Sequence, residues 1–504
     1  MKDLFAQILL TTDAIIVVYY GTYIASNMFL LVISLFEVRR ILRRRGYEAE
    51  NVSTVFTPKF SLLVPAYNEE VTIVESLMSL LRLDYPDVEI IVVNDGSKDR
   101  TVEVAREAFD FREAPVDVDA HLPTAKVRAM YVAPVPEWSK ITRLVLIDKE
   151  NGGKADALNA AINVAEGTFV SSMDADSLML PQTLNRVIQP LLDDPHNLVA
   201  CGIQVAASNG SIIKDGQLLS ARLPNNWLGR IQVVEYMRSF TQSRTALGRL
   251  NMLLILSGVF AIFRRDLIMA IGGFLTKYQR TRAGQEYCGV GAHTVCEDME
   301  IVIRLHRYLL DRGRRGKMIL LPEPLAWTEV PEDMTSLGKQ RSRWQRGLYE
   351  CLLLHRDMFF KKRFGVVGWL AMPYQLLYEA LTPMVELAGI LLVPLAAVFG
   401  LLSWRVCGLL LLTAFLANVV VSCGSVVIAM WGEFSKSESR GPERLFEYEG
   451  KHIMATLLVA AVAENILYRQ ILLYWRLKGT WDFLRGRQGW DKFARKGFAA
   501  TAAK

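Results

Sequence analysis

Five consecutive residues, Gln340-Arg341-Ser342-Arg343-Trp344, set a candidate phosphate clamp beside a candidate sugar platform. Arginine offers a planar fork that matches phosphate oxygens, and the indole of tryptophan offers a flat face to the apolar side of a pyranose. Alone, the cluster reads equally well as a basic amphipathic segment lying on a membrane. Its weight comes from what lies upstream. Asp174 and Asp176, two residues apart, can present hard oxygen ligands on one side of an extended segment, as Mg2+ or Mn2+ bridging to phosphates would require. A turn with solvated carboxylates would carry the same pair. Asn151-Gly152-Gly153-Lys154 opens a helix, so its amides and ammonium group can meet a phosphate or a nearby carboxylate. Glu297-Asp298 opens another helix. There an acidic pair either complements the helix dipole or supplies a general base to an acceptor hydroxyl.

The elements that must position these groups follow from hydrophobic period. Short apolar runs at Phe60 to Val64, Glu89 to Val93, Arg128 to Val132 and Phe169 to Met173 alternate with helical patterns at Val71 to Leu81, Val102 to Ala108 and Ala155 to Ala165. The alternation predicts an α/β domain with a doubly wound, mostly parallel sheet that binds ligands beyond the carboxyl ends of its strands. Three polar loops, Pro65 to Glu70, Asn94 to Ser97 and Asp174 to Ser177, then converge on one edge. Each by itself is an ordinary turn.

With 504 residues, 51% of them hydrophobic, the chain is too apolar for a soluble enzyme and too charged for a pure membrane bundle. Ala14 to Phe36 carries no charge, enough for the roughly 20 residues a spanning helix needs. Arg39, Arg40, Arg43, Arg44 and Arg45 follow it and predict a cytoplasmic domain. Beyond Leu354, Leu387 to Trp404 and Val406 to Trp431 read as a tight transmembrane hairpin about Arg405, and Phe364 to Leu381 as an interfacial or broken helix. Ile453 to Trp475 contains Glu464, Asn465 and Arg469, so a polar-lined span, a re-entrant element and an amphipathic helix all fit it. The basic tail belongs inside, which requires an even number of crossings after the catalytic domain. The expected division is 1–46, a membrane helix with basic flank; 47–360, a cytoplasmic catalytic domain; 361–476, interfacial and membrane helices; 477–504, a basic tail. Six cysteines without a C-x-x-C pair suggest neither disulfides nor a structural zinc. Membrane-flanking Arg and Lys account for most of the net charge of +6, and nucleic acid need not be invoked.

In order, VPAYNEE, VVNDGSKD, GGKADALN, DADS, CEDM and QRSRW resemble the motifs of processive family-2 glycosyltransferases, the group of cellulose, hyaluronan and chitin synthases. In size and layout the chain looks most like bacterial poly-N-acetylglucosamine synthase. The resemblance covers about Ser61 to Leu353. It implies a GT-A fold, a nucleotide-diphosphate sugar donor that is UDP-linked, a Mg2+ or Mn2+ ion, and inversion at the anomeric carbon.

Carried over by position, Ala66, Tyr67, Glu69 and Asp95 would hold the nucleotide, with Lys154 and Asp174 beside it and Asp176 at the metal. Asp298 would be the base and Glu297 its neighbour. Gln340 and Arg343 would meet the diphosphate; Trp344 would meet the acceptor, which Ser257 and Gly258 border. Phe260 fits either that border or the core. Cys296 stands where many relatives have threonine, and Thr276 to Thr294 looks longer than a minimal connection. The charged stretch Glu433 to Lys451 reads as a solvated connector or a gate.

The leading expectation is a polymerase in the bacterial inner membrane that extends a β-linked polysaccharide and passes it across, with accessory export or regulatory subunits possible. Single transfer to a lipid or short glycan is the alternative. An inactive membrane scaffold or sugar sensor is disfavoured by intact acidic and basic positions at every motif.

Overall fold

The computed structural model describes residues 2–48, 57–116, 121–278, 281–289, 293–401, 403–434, 448, 452–487 and 497. Its strands are β1 Phe60–Ala66, β2 Val88–Asp95, β3 Arg112–Ala114, β4 Val127–Ala133, β5 Ile141–Lys149, β6 Phe169–Met173, β7 Ser177–Met179, β8 Leu198–Ala207, β9 Ile212–Lys214, β10 Gln217–Ser220, β11 Phe260–Arg264 and β12 Lys317–Thr328. Ten of them form one sheet in the order β3-β4-β5-β2-β1-β6-β11-β8-β12-β7, and β9 and β10 form a separate ribbon.

The expected parallel sheet is its centre: β5, β2, β1 and β6 run parallel. Every residue of β2, VEIIVVND, is buried, as a parallel strand covered on both faces requires. One side packs Leu63, Ile91 and Val145 against the Lys154–Val164 and Glu297–Asp311 helices, and the other packs Leu62, Ile90 and Leu144 against the Ile73–Leu81 helix. Antiparallel β11 then joins this half to the parallel pair β8 and β12. Because the central strands are parallel, Ala66, Asp95, Lys149 and Met173 end at one edge, and the polar loops follow them there. The strand Ile141–Lys149 was not among the expected elements; its inward ITRLVLIDK pattern is interrupted by charge, which hid the apolar run.

Among the described residues, three helical stretches are long and apolar enough to cross a membrane: Thr11–Arg43, Trp404–Trp431 and Ile453–Leu484. A fourth, Val367–Ala380 with Thr382–Val398, is bent by 41° at the junction. The expected hairpin is therefore shifted: its first arm is Thr382–Val398, and Arg405 lies inside the second arm rather than at the turn. The broken helix expected over Phe364 to Leu381 is present, built from two π-helical turns around Met372–Tyr374. Ile453 to Trp475 is part of a long helix that continues to Leu484, past the boundary expected at 476, with a π-turn at Glu464–Tyr468. Its polar residues face protein partners: Glu464 meets Arg238 at 2.5 Å, and Arg469 meets Asn418 at 2.9 Å. The connector Glu433 to Lys451, apart from Glu433, Phe434 and Tyr448, and most of the basic tail lie outside the described residues.

The QRSRW residues sit on the Met334–Leu354 helix, which crosses the Arg469–Leu484 helix closely. A Cβ on Gly338 would lie 2.4 Å from Trp475 Cε2, and one on Gly479 would lie 2.4 Å from the Ser342 carbonyl. Backbone cannot yield as a side-chain tip can. Gly479→Val should therefore cost about 1–3 kcal/mol by overpacking; a lowered midpoint of thermal unfolding in detergent, followed by tryptophan fluorescence, is the expected result.

Candidate active site

Two loops at the sheet edge, Pro65 to Glu70 and Asn94 to Ser97, are tied to each other by their own polar groups. Asn68 N donates to Ser97 Oγ at 2.9 Å, and Lys98 N donates to Asn68 Oδ1 at 2.8 Å. Asn68 adopts φ +54°, a left-handed turn that asparagine tolerates. Gly96, at φ +67°, leaves no room for a Cβ, which would lie 2.8 Å from Asn151 N.

The glycine loop is held by a carboxylate. Gly152 N and Gly153 N donate to Asp95 at 2.9 and 2.7 Å, so the amides expected to meet either a phosphate or a carboxylate meet Asp95. Behind it the fully buried Lys149 ammonium lies 2.6 Å from Asp95 and 2.5 Å from Asp156. Neither Lys149 nor Asp156 belongs to the expected site. Lys149 ends the unrecognised strand, and Asp156 lies inside GGKADALN, where its spacing from Gly153 was the available signal.

Lys154 reaches forward from the start of its helix. Its Nζ lies 2.6 Å from Asp174 and 3.1 Å from Glu297, and donates to the Gly258 carbonyl at 3.1 Å. Burial alone would depress this ammonium, but Asp174 and Glu297 more than offset that and hold it above the ordinary lysine range. Asp174 is pushed up by burial and by Asp176 and Glu297, against the pull of Lys154. Asp298 is likewise raised, by burial first and then by Glu297, with Lys154 and Arg244 opposing. A Cβ on Gly258 would come 3.1 Å from Lys154 Nζ and 3.5 Å from Asp298 Oδ2, so this position is held to glycine by crowding.

The Glu297–Asp311 helix starts without a side-chain cap from Cys296. Thr294 Oγ1 accepts from Cys296 N at 3.1 Å, which fixes the turn just ahead of the helix. Cys296 packs against Gly347, where a Cβ would lie 2.2 Å from its sulfur, and so seats the acidic pair against the QRSRW helix.

Ala66, Tyr67, Glu69, Asp95, Lys154, Asp174 and Asp176 line one cavity of about 790 Å3 together with Ser257, Gly258, Glu297, Asp298, Gln340, Arg343 and Trp344. These fourteen candidate residues are thus brought to one place. Phe260 is fully buried in the core and stands outside it. Gln340 Oε1 is a buried acceptor without a protein partner. Arg341 is the member of QRSRW that departs from the clamp reading: both its Nη atoms lie 2.8 Å from the Glu235 carboxylate. Beyond Trp344 the cavity runs on to Tyr23, Asn27, Tyr374, Thr382 and Glu386, all on the apolar helices.

A separate cluster, Cys288, Glu300 and His355, brings its ligand atoms within 4.8 Å of one another. Arg304 bonds both oxygens of Glu300, at 2.8 and 2.7 Å, and a cation there would sit against a guanidinium. It is a buried ion-pair hub that ties the Glu297–Asp311 helix to its neighbours.

Residues 61–120 match the family model described as Glycosyl transferase family 2, and residues 125–347 match Glycosyltransferase like family 2. The chain belongs to glycosyltransferase family 2. Its mixed sheet with helices on both faces is the GT-A arrangement. This glycosyltransferase is 29% identical over 308 residues to poly-beta-1,6-N-acetyl-D-glucosamine synthase of Staphylococcus aureus, covering 59% of this chain and 56% of the relative. It is 28% identical over 297 residues to the same-named synthase of Staphylococcus epidermidis, covering 58% and 55%. The match thus spans just over half the length of these relatives. Among solved structures, a mannosyltransferase from Pyrobaculum calidifontis in complex with GDP-Man and Mn2+ aligns with TM-score 0.49 and 17% identity, over 94% of this chain and 100% of that one.

The Asp95–Lys149–Asp156 triad should be a folding requirement rather than a chemical one. Lys149→Met leaves two buried carboxylates without their cation, a loss of about 3–5 kcal/mol. A large fall in the yield of folded, monodisperse protein on size-exclusion chromatography would register it.

Proposed function

We propose that this glycosyltransferase is a membrane-embedded, inverting polysaccharide synthase. It extends a β-linked polymer from a nucleotide-diphosphate sugar, with UDP the expected nucleotide, and passes the product through its own membrane helices. The observation that carries the reading is the continuity of one cavity from the acidic cluster, past Asp298 and Trp344, to Tyr23, Asn27 and Thr382 on apolar helices. A transferase acting once on a soluble acceptor has no use for that extension.

In this reading Asp298 takes the proton of the acceptor hydroxyl, whose oxygen attacks the anomeric carbon of the donor. The bond from that carbon to the diphosphate breaks, its electrons leave with the phosphate oxygen, and the configuration inverts. Arg343 and Lys154 face the departing charge, and Trp344 supports the sugar that receives. Asp176, with Asp174 beside it, fits a divalent cation. Both offer hard oxygens at the cavity wall, and Asp174 is raised by burial and by the surrounding carboxylates, a repulsion that a cation would relieve. When bound, such an ion would neutralise the diphosphate leaving group. Arg39, Arg40 and Arg43 after the first span support a catalytic domain on the cytoplasmic side. The basic tail returns to the same side if the bent pair does not cross.

Purified protein given a panel of nucleotide sugars should release nucleoside diphosphate and yield long labelled product; a single added sugar would favour the non-processive alternative. Asp298→Asn should reduce transfer by about 100-fold or more while leaving nucleotide affinity near wild type. Retained turnover would remove Asp298 from its role.

The pH profile follows from the same residue. A base must be ionised, and burial with Glu297 pushes Asp298 above the usual carboxylate range. Activity should therefore fall as pH drops through that raised value, giving kcat/KM an acid limb above about 4. A limb at or below the ordinary aspartate range would contradict the assignment.

A further inference from the structure

Trp344 does not stand alone at the cavity wall. The guanidinium of Arg341 lies over its ring, 4.3 Å from the centroid. Arg341 is in turn gripped by both oxygens of Glu235, at 2.8 Å each, and Tyr468 donates its hydroxyl to Glu235 Oε2, also at 2.8 Å. Glu235 is on the Trp227–Met237 helix, and Tyr468 ends the π-turn Glu464–Tyr468 of the last apolar helix.

The geometry has two consequences. A cation resting on one face of an indole leaves only the opposite face for a pyranose, so acceptor stacking becomes one-sided. The cation is also not free to leave: a side-by-side bond from a planar guanidinium to a carboxylate fixes both its position and the plane in which it lies. Arg341 is 7% exposed, so water does not compete well for this bond. Trp344, at 39% exposure, is by contrast open enough to take a ligand.

We propose that Glu235 is a positioning residue for the acceptor platform: it locks Arg341 against one face of Trp344, and Tyr468 locks Glu235 to the last apolar helix. The inference rests on the reading of Trp344 as the acceptor site. It adds a residue outside every motif, and a physical link from the platform to a helix bordering the product's path.

The test uses the full-length protein in detergent, with two readouts. One is binding of short β-linked oligosaccharides of glucose and of N-acetylglucosamine in the absence of donor, followed by calorimetry. The other is steady-state transfer compared with acceptor-independent donor hydrolysis. Glu235→Gln keeps the shape and removes the charge, so Arg341 can swing off the ring. Loss of a desolvated cation–π contact and of the ring's fixed orientation should raise the acceptor KM and dissociation constant about tenfold. The donor KM and the rate of donor hydrolysis should stay within about twofold. Glu235→Asp should recover part of the acceptor affinity. Should Glu235→Gln fail to fold, Tyr468→Phe removes one bond and leaves the ion pair. It should shift acceptor affinity in the same direction by a smaller factor.

Equal losses in donor and acceptor terms would mark a structural role and overturn the proposal, as would unchanged acceptor affinity in both variants. Glu235-dependent oligosaccharide binding in a protein that transfers no sugar would sustain the platform and sink the polymerase reading. Wild type that neither binds oligosaccharides nor transfers would sink both.

Discussion

One ammonium group holds the site in register. Lys154 Nζ joins Asp174 at the end of β6, Glu297 at the start of its helix and the carbonyl of Gly258 just before β11, all within 3.1 Å. Those three elements are far apart in sequence and carry Asp174, the Glu297-Asp298 pair and the Ser257-Gly258 segment of the cavity wall. Without the cation, Asp174, Asp176, Glu297 and Asp298 would repel across a poorly hydrated cavity. With it, the carboxylates stay close and two of them, Asp174 and Asp298, remain raised. The same residue thus permits the crowding of four carboxylates around one cavity.

Lys154 can do this only because its own backbone is fixed. The Gly152 and Gly153 amides are bound to Asp95, and Asp95 is balanced by the buried Lys149 shared with Asp156. Two lysines five residues apart therefore divide the work. Lys149 faces into the domain and sets the loop, and Lys154 faces the cavity and gathers Asp174, Glu297 and the Gly258 carbonyl.

The candidate residues after three strands were legible in the sequence because their motifs are short and go with a clear apolar run: Phe60–Ala66 before Tyr67, Val88–Asp95 with Asp95 at its end, Phe169–Met173 before Asp174. All of them line the one cavity. What could not be read was partnership between distant charges. Lys149 and Asp156 resemble surface residues in composition, and only the sheet's closure buries them. Arg341 looked like part of a phosphate clamp because a basic run has no visible partner. Glu235, more than a hundred positions earlier, has no motif to announce it. Membrane boundaries slipped for a related reason: Arg405 reads as a turn by charge, yet the backbone turns earlier, around Gly400 at φ +69°.

The Met334–Leu354 helix makes the catalytic and membrane parts one mechanical unit. Arg343 and Trp344 border the cavity, while residues interleaved with them bind backbone of the apolar helices. Ser342 Oγ donates to the Trp475 carbonyl at 3.0 Å, and Gln345 Nε2 and Tyr349 OH donate to the Ala380 carbonyl at 3.0 and 2.7 Å. Ala380 is where the bent pair breaks. A π-turn there leaves carbonyls outside the regular ladder, and these two side chains claim one of them. The break therefore needs the QRSRW helix to satisfy its backbone within an apolar setting. In return the helix gains a fixed point about one turn from Arg343 and Trp344. Any shift of the bent pair must then move Arg343 and Trp344 together rather than one at a time.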